Sequence, residues 1–394
     1  MKTTLRIVAC THFLICLFAM CVPANAQYQI GHITLTFTDP SRNNRSIPTE
    51  IYYPADTAGN DVPVTTTTTD ALPVLAFGHG FVMSWSAYEN IWSTVVTQGY
   101  IIAFPKTETG ITPSHIEFAR DLAFVANQVS LLGASTTSIF YNRTSGQKVV
   151  MGHSMGGGAA FLAAGLDPSF TALITLSAAE TNPSAISAAA TVVVPSLVFA
   201  GANDCVTPPA TNQLAMYNAL TGDCKTYLEI IGGSHCQMAD YNFLCSFGET
   251  TCSPAPAISR DAQHDVISNY LVKWLNAKLK SDCESGAAFD LEIENDAAVT
   301  FQKNCLLCNP LTTVANTVIE TVLYPNPFVA TLHISSGQNT EMDFTVYDLS
   351  MRRIYSQKYT GSLEVNTENW LPGIYLYQIT GGDARVKAGK IIRE

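Results

Sequence analysis

Seven consecutive residues, Gly152-His153-Ser154-Met155-Gly156-Gly157-Gly158, constrain this chain more tightly than any other stretch. The apolar run Val149-Val150-Met151 before them reads as the end of a buried strand, and Ala159-Ala160-Phe161-Leu162-Ala163-Ala164 after them reads as a helix. A serine at that junction stands on a sharp turn with its hydroxyl lifted into the open. The glycines are needed because such a turn brings backbone segments too close for a Cβ, and because the following helix must pack tightly on the sheet. The plain structural alternative, a glycine-rich helix cap holding an ordinary serine, explains neither the strand before nor the helix after.

The rest of the chain supplies the sheet that this turn requires. His32 to Phe37 and Thr49 to Tyr53 alternate as antiparallel strands. Pro73-Val74-Leu75-Ala76-Phe77 is an apolar strand that ends at Gly78-His79-Gly80-Phe81. Trp85, Tyr88, Ile91, Trp92, Val95 and Val96 recur at helical spacing before the strand Tyr100 to Phe104, and Ile116 to Leu132 is a second amphipathic helix. Further strands are expected at Lys148–Met151, Leu173–Leu176, Ser196–Ala200 and Thr226–Ile230, a helix around Leu214 to Leu220, and a closing helix over Val266–Leu279. Apolar strands alternating with helices demand a mostly parallel sheet covered on both faces.

The N-terminus carries Lys2 and Arg6, an apolar run from Ile7 to Val22, and the small-residue site Ala24-Asn25-Ala26, which together read as a secretory signal peptide over residues 1–26. A lipoprotein signal ending at Cys21 is the alternative, and the bulky Met20 before it argues against that. No later run is long and apolar enough to form a stable membrane span. Removing the two positive charges of the leader takes the net charge from −11 to −13, an acidic surface that argues against nucleic acid or anionic membranes as partners. Eight cysteines remain, and an even number in an exported chain implies disulfides. Their pairing is open at this stage: Cys245 with Cys252 would close a small loop, and Cys305-Leu306-Leu307-Cys308 suits a disulfide better than half of a zinc site that lacks its second half. No metal or cofactor is expected.

Parallel sheets present functional residues at the carboxyl ends of their strands, and Ser154, Asp204 and His235 all fall there. A serine hydroxyl is nearly inert at neutral pH, so it needs a base: His235 would take its proton and Asp204 would hold the imidazole. Negative charge developing on a substrate carbonyl would be met by the backbone N–H groups of Phe81 and Met155. Trp85 and Tyr88 either line an acyl pocket or form the buried face of their helix, and His153 flanks the cleft as a third candidate substrate contact. His79 reads as a structural histidine beneath the oxyanion loop. Asp240 is the second choice for the acid, although five residues from His235 it suits a loop neighbour better.

On these residues, the stretch from Ala71 to about Leu279 resembles the α/β-hydrolase fold and, within it, the bacterial cutinase, lipase and polyester-hydrolase group together with dienelactone-hydrolase-like esterases. The resemblance rests on the Gly152–Gly158 run, on Gly201-Ala202-Asn203-Asp204 with Val206 and Pro208, and on Tyr227-Leu228-Glu229 leading to Gly233-Ser234-His235. It implies a secreted serine hydrolase of carboxylic esters, lipid or polyester-like, with Ser154, Asp204 and His235 as triad and Phe81 and Met155 as oxyanion donors. Two departures narrow it. Ser177-Ala178-Ala179-Glu180 lacks the tryptophan that polyester-degrading members place there, which argues against polyester, and the nucleophile is serine where dienelactone hydrolases use cysteine. Some cutinase relatives tie the acid and base loops with a disulfide, so the resemblance implies a bond between Cys205 and Cys236.

The hydrolase domain is expected over residues 27–283, a linker over 284–319, and a small β-sandwich over 320–394, where short alternating segments such as Phe344 to Leu349 and Gly373 to Tyr377 are separated by turns. This last region resembles the C-terminal sorting domain of the type IX secretion system of Bacteroidetes. That resemblance implies passage across the outer membrane by that machinery, to an extracellular or cell-surface destination. Peptidase and acyltransferase chemistry use the same catalytic groups. A noncatalytic binding protein, the third class, would not need all three triad residue types at strand ends.

Overall fold

Six of the apolar runs are too short for helices and are buried on both sides, so they have one stable arrangement, side by side in a sheet with helices on each face. The computed structural model describes residues 28–308, 321–336, 341–349, 352–381 and 386–394. The leader expected over residues 1–26 lies outside the described residues, as do residues 309–319 of the expected linker. The chain divides into two compact units, Met1–Cys308 and Asn309–Glu394.

The first unit begins with the antiparallel hairpin β1 (Gln29–Asp39) and β2 (Arg45–Ala55), followed by a two-residue β3 (Gly59–Asn60). Then come β4 (Leu72–Gly78), α1 (Glu89–Thr97), β5 (Ile101–Pro105), α2 (His115–Leu131), β6 (Thr144–His153), α3 (Met155–Leu166) and β7 (Ala172–Leu176). The unit continues with α4 (Ala185–Ala189), β8 (Ser196–Gly201), α5 (Gln213–Ala219), β9 (Lys225–Ile230), α6 (Phe243–Glu249), α7 (Arg260–Leu279), α8 (Cys283–Asn295) and β10 (Val299–Lys303). The strands form one sheet in the order β10-β9-β8-β7-β6-β4-β5-β2-β1-β3. The run from β5 through β9 is parallel, and the flanking strands β2 and β10 join it antiparallel. Every residue of β4, β5, β7 and β8 is buried.

Two apolar layers cover the sheet. On one face Ile91 and Val95 of α1, Tyr270 and Trp274 of α7 and Phe289 of α8 pack on Phe77, Phe104 and Phe199. On the other, Phe118 and Leu122 of α2, Phe161 of α3 and Met216 of α5 pack on Val150, Leu173 and Val198. This is the α/β-hydrolase architecture. The parallel strands therefore deliver β4, β6, β8 and β9 to one end of the sheet, where Phe81, Ser154, Asp204 and His235 follow them.

Residues 284–308 are not the irregular linker expected from the sequence. Asp282 caps α8 by accepting the N–H groups of Glu284 and Ser285. Beyond it β10 adds an outer strand paired with β9, from Val299 opposite Ile230 to Lys303 opposite Thr226. Two disulfides secure this addition, Cys224–Cys305 and Cys283–Cys308, so Cys305 and Cys308 are each bonded, but not to each other. A two-residue spacing inside a short loop leaves both free to reach across to separate elements.

The second unit contains β11 (Thr321–Tyr324), β12 (Thr331–Ser336), β13 (Glu341–Tyr347), β14 (Arg353–Thr360), β15 (Ser362–Asn366), β16 (Gly373–Gly381) and β17 (Val386–Arg393). One sheet has the order β11-β12-β15 and the other β14-β13-β16-β17, all pairs antiparallel. Leu332 and Ile334 from the first meet Phe344, Val346, Ile379 and Ile391 from the second, the alternating inward residues of a β-sandwich.

The Cys224–Cys305 bridge spans 81 residues, so replacing both cysteines by serine is expected to lower the unfolding free energy by about 4 kcal/mol, read by urea denaturation. Unchanged stability would show that β10 needs no such anchor.

Candidate active site

Ser154 stands between β6 and α3 at φ 55° and ψ −123°, a backbone conformation that a residue with a Cβ rarely adopts. The turn is fixed on both sides. The Ser154 N–H donates to the Leu176 carbonyl at 3.0 Å, and the Ser154 carbonyl accepts from Gly158 and Ala179. The glycines fit for the expected reason: a Cβ on Gly156 would lie 2.1 Å from the Gly78 carbonyl oxygen, and one on Gly152 would lie 2.2 Å from the Gly156 oxygen.

The loop after β9 brings His235 over the serine. Gln263 on α7 accepts the Ser234 N–H and donates to the Ser234 carbonyl, and the Arg260 guanidinium donates to the carbonyls of Cys236 and Ala239. Held this way, His235 Nε2 lies 2.9 Å from Ser154 Oγ, and its Nδ1 lies 2.8 Å from Asp204 Oδ2. Asp204 sits in the loop after β8. The structure thus brings together the three residues chosen from sequence, in a buried hydrogen-bonded line. Asp240, the other carboxylate considered, instead accepts the Asn90 N–H and ties the base loop to α1.

The loop after β4 forms the facing wall. Met155 opens α3, where first-turn N–H groups have no acceptor within the helix, and Phe81 borders the cleft beside Ser154 and His235. Tyr88 does not line that cleft. It is fully buried, and its hydroxyl accepts the Gly80 N–H at 2.7 Å and lies 3.0 Å from His153 Nδ1. His153 is also fully buried, with Nε2 3.2 Å from the His235 carbonyl. A carbonyl only accepts, so Nε2 carries the proton and Nδ1 accepts from Tyr88. The chain Gly80–Tyr88–His153–His235 therefore links the loop after β4 to the loop after β9, and neither ring lines the cleft, contrary to the expected substrate contacts. Burial pushes the His153 pKa well below its ordinary value, and the His235 ring adds to the effect. Trp85 is half-buried, donates to the Tyr52 hydroxyl and carries the Lys106 ammonium over its ring; it is not among the cleft-lining residues. His79, on the loop after β4, holds both ring nitrogens against the carbonyls of Gly80 and Thr107; burial lowers its pKa and these two acceptors oppose that shift.

The cleft itself is small, about 160 Å³, with Met83, Val206 and Leu244 as its apolar walls. Leu244 belongs to α6, a helix that buries no residue and exposes Phe243 and Phe247, each at 67%. Covalent bonds hold it in place of a packed face. The expected Cys205–Cys236 bond is not formed: Cys205 pairs with Cys252 just beyond α6, and Cys236 pairs with Cys245 within it. Each Cα pair lies 5.5–5.6 Å apart, within disulfide reach, so the acid and base loops are joined through α6 rather than directly. Among the described residues no cluster of His, Cys, Asp and Glu could hold a metal ion, and no helix is long and apolar enough to cross a membrane.

A family model described as PET hydrolase-like matches residues 41–248, just over half of the chain. A second, the secretion system C-terminal sorting domain, matches residues 322–394. The protein is accordingly a secreted or cell-surface one. Cutinase 1 of Thermobifida cellulosilytica is 32% identical over 106 residues, 27% of this chain and 39% of that protein. Cutinase 2 of the same organism is 26% identical over 162 residues, 41% of this chain and 59% of that protein, and a cutinase of Thermobifida fusca (strain YX) is 32% identical over 106 residues, 34% of its length. The chain thus spans between a third and three fifths of these relatives.

The buried, neutral His153 makes stability acid-sensitive. Its folded pKa is lowered, so below about pH 6.5 the unfolded chain binds more protons than the folded one at this site, and stability falls by up to about 1.4 kcal/mol per pH unit. Urea denaturation at pH 7.5, 6.5 and 5.5, with an NMR titration of the imidazoles, checks this; a His153 ring titrating near pH 6.5 in the folded protein would contradict it.

Proposed function

Because the chain belongs to the PET hydrolase-like family, we propose that it hydrolyses carboxylic esters outside the cell through an acyl-enzyme on Ser154. The observation that carries this reading is the buried line from Ser154 Oγ through His235 to Asp204, with bonds of 2.9 and 2.8 Å, at the floor of an apolar cleft.

His235 Nε2 takes the Ser154 proton as the hydroxyl oxygen attacks the ester carbonyl, and Asp204 stabilises the imidazolium formed. The oxyanion is met by the N–H groups of Met155 and Phe81, each such donor lowering the barrier by about 2.7–4 kcal/mol. Collapse expels the alcohol, which leaves with the proton from His235. Water, deprotonated by His235, then attacks the acyl carbonyl and restores Ser154.

The acyl chain lies against Met83, Val206 and Leu244, and a cleft of about 160 Å³ suits a short one. The relatives are named as cutinases, which supports a hydrophobic ester. The Ser177-Ala178-Ala179-Glu180 segment has no aromatic side chain to stack on an aromatic substrate, which favours simple aliphatic esters over polyester. Export is assigned to the type IX machinery acting on the C-terminal β-sandwich.

A p-nitrophenyl ester series from acetyl to palmitoyl, offered to the mature protein, is expected to give an optimum at short acyl chains, and Ser154→Ala to lower kcat on the order of 10⁶-fold. An optimum at palmitoyl would overturn the acyl assignment, and retained activity in Ser154→Ala would overturn the nucleophile.

A further inference from the structure

The triad is continued inward by two polar side chains that the mechanism above does not use. Thr207, three residues beyond Asp204, is buried and grips both carboxylate oxygens: its N–H donates to Oδ1 at 2.7 Å and its hydroxyl to Oδ2 at 2.8 Å. The same hydroxyl oxygen lies 3.0 Å from His235 Nδ1, so the imidazole N–H points between the Asp204 and Thr207 oxygens. Behind it, Gln213 at the start of α5 is fully buried, and its Nε2 lies 2.9 Å from Thr207 Oγ1.

The direction of this chain is determined by geometry. Gln213 Nε2 also faces the carbonyls of Ala178 at 2.7 Å and Thr207 at 3.2 Å. Turning the amide over would set its oxygen against both carbonyls, so the nitrogen must face inward and donate. With a lone pair of Thr207 Oγ1 engaged by that donor, the hydroxyl proton turns to its best acceptor. Asp204 Oδ2 is nearer than the Ser177 carbonyl at 3.3 Å, and it is charged.

We propose that Thr207, oriented by Gln213, is a positioning residue for the hydrolytic reaction, holding Asp204 Oδ2 in line with His235 so that the imidazole stays aimed at Ser154. The inference rests on the triad reading above. Neither side chain is among the cleft-lining residues, so the effect falls on turnover and not on substrate binding. Valine at position 207 keeps the shape and the backbone N–H but loses the hydroxyl; serine keeps the hydroxyl.

The test is steady-state hydrolysis of p-nitrophenyl butyrate by the mature protein and by Thr207→Val, Thr207→Ser, Gln213→Met and the Thr207→Val, Gln213→Met double variant. Thr207→Val should lower kcat about tenfold with KM unchanged, the loss of one hydrogen bond to a charged group, while Thr207→Ser stays within about twofold of the parent. Gln213→Met should lower kcat about threefold alone and by nothing further in the Thr207→Val background, because the two act in series. Parental kcat in Thr207→Val, equal losses for valine and serine, or a change confined to KM would overturn the proposal. Should Thr207→Val fail to fold, parental kcat in Gln213→Met overturns it alone. A Ser154→Ala variant that keeps its activity would instead remove the triad reading on which the proposal stands.

Discussion

Ser154 is held at φ 55° and ψ −123°, and the surrounding structure exists in large part to keep it there. Such a conformation costs on the order of 1–3 kcal/mol and persists only where neighbours over-determine it. Here β6 is paired on both sides, to β4 and β7. The backbone of Ser154 itself is bonded to Leu176, Gly158 and Ala179. The strain has a purpose in the geometry: it tips the hydroxyl out of the sheet toward His235 while leaving the N–H groups of the next turn free. Glycine at 78, 152 and 156 is the sequence-level counterpart, since any side chain there would force β4, β6 and α3 apart.

His235 and Asp204, the other two members of the hydrogen-bonded line, arrive on loops, and loops need separate restraint. The base loop is clamped from α7 by Gln263 and Arg260, from α1 through Asp240, and from beneath by His153. The acid loop is held by Thr207 and by the bond from Cys205 to Cys252. α6 joins the two covalently. It makes its contribution without a buried face, so its exposed rings remain beside the cleft as apolar surface. Rigid placement of Ser154, His235 and Asp204 thus comes from many moderate contacts spread over α1, α6, α7 and the loops themselves.

The parallel sheet and the triad were legible in sequence for one reason: fully buried strands are uninterrupted apolar runs, and the functional residues follow directly on their ends. Helices with an apolar stripe, such as α2, were legible too. α6 was not, because a helix fastened by Cys245 and flanked by Cys252 has no need of a stripe. Nor was β10, a five-residue outer strand whose partner β9 lies some seventy residues earlier in the chain and whose anchor is a disulfide that spacing does not reveal. Helical periodicity alone does not separate pocket from core for Tyr88; its hydroxyl decides, being bonded to the Gly80 N–H. Thr207 and Gln213 gave no signal because their role depends on which atoms meet across β8, α5 and the loops after β7 and β9.

The most direct test of the central claim is to catch the covalent intermediate. The mature protein, mixed with a p-nitrophenyl ester and quenched in acid within the first turnover, is digested and its peptides are weighed. One acyl group is expected on the peptide that contains Ser154, and none on that peptide from His235→Ala at the same time point. An acyl group carried by another residue, or ester hydrolysis with no acylated peptide under conditions where deacylation is slow, would contradict it.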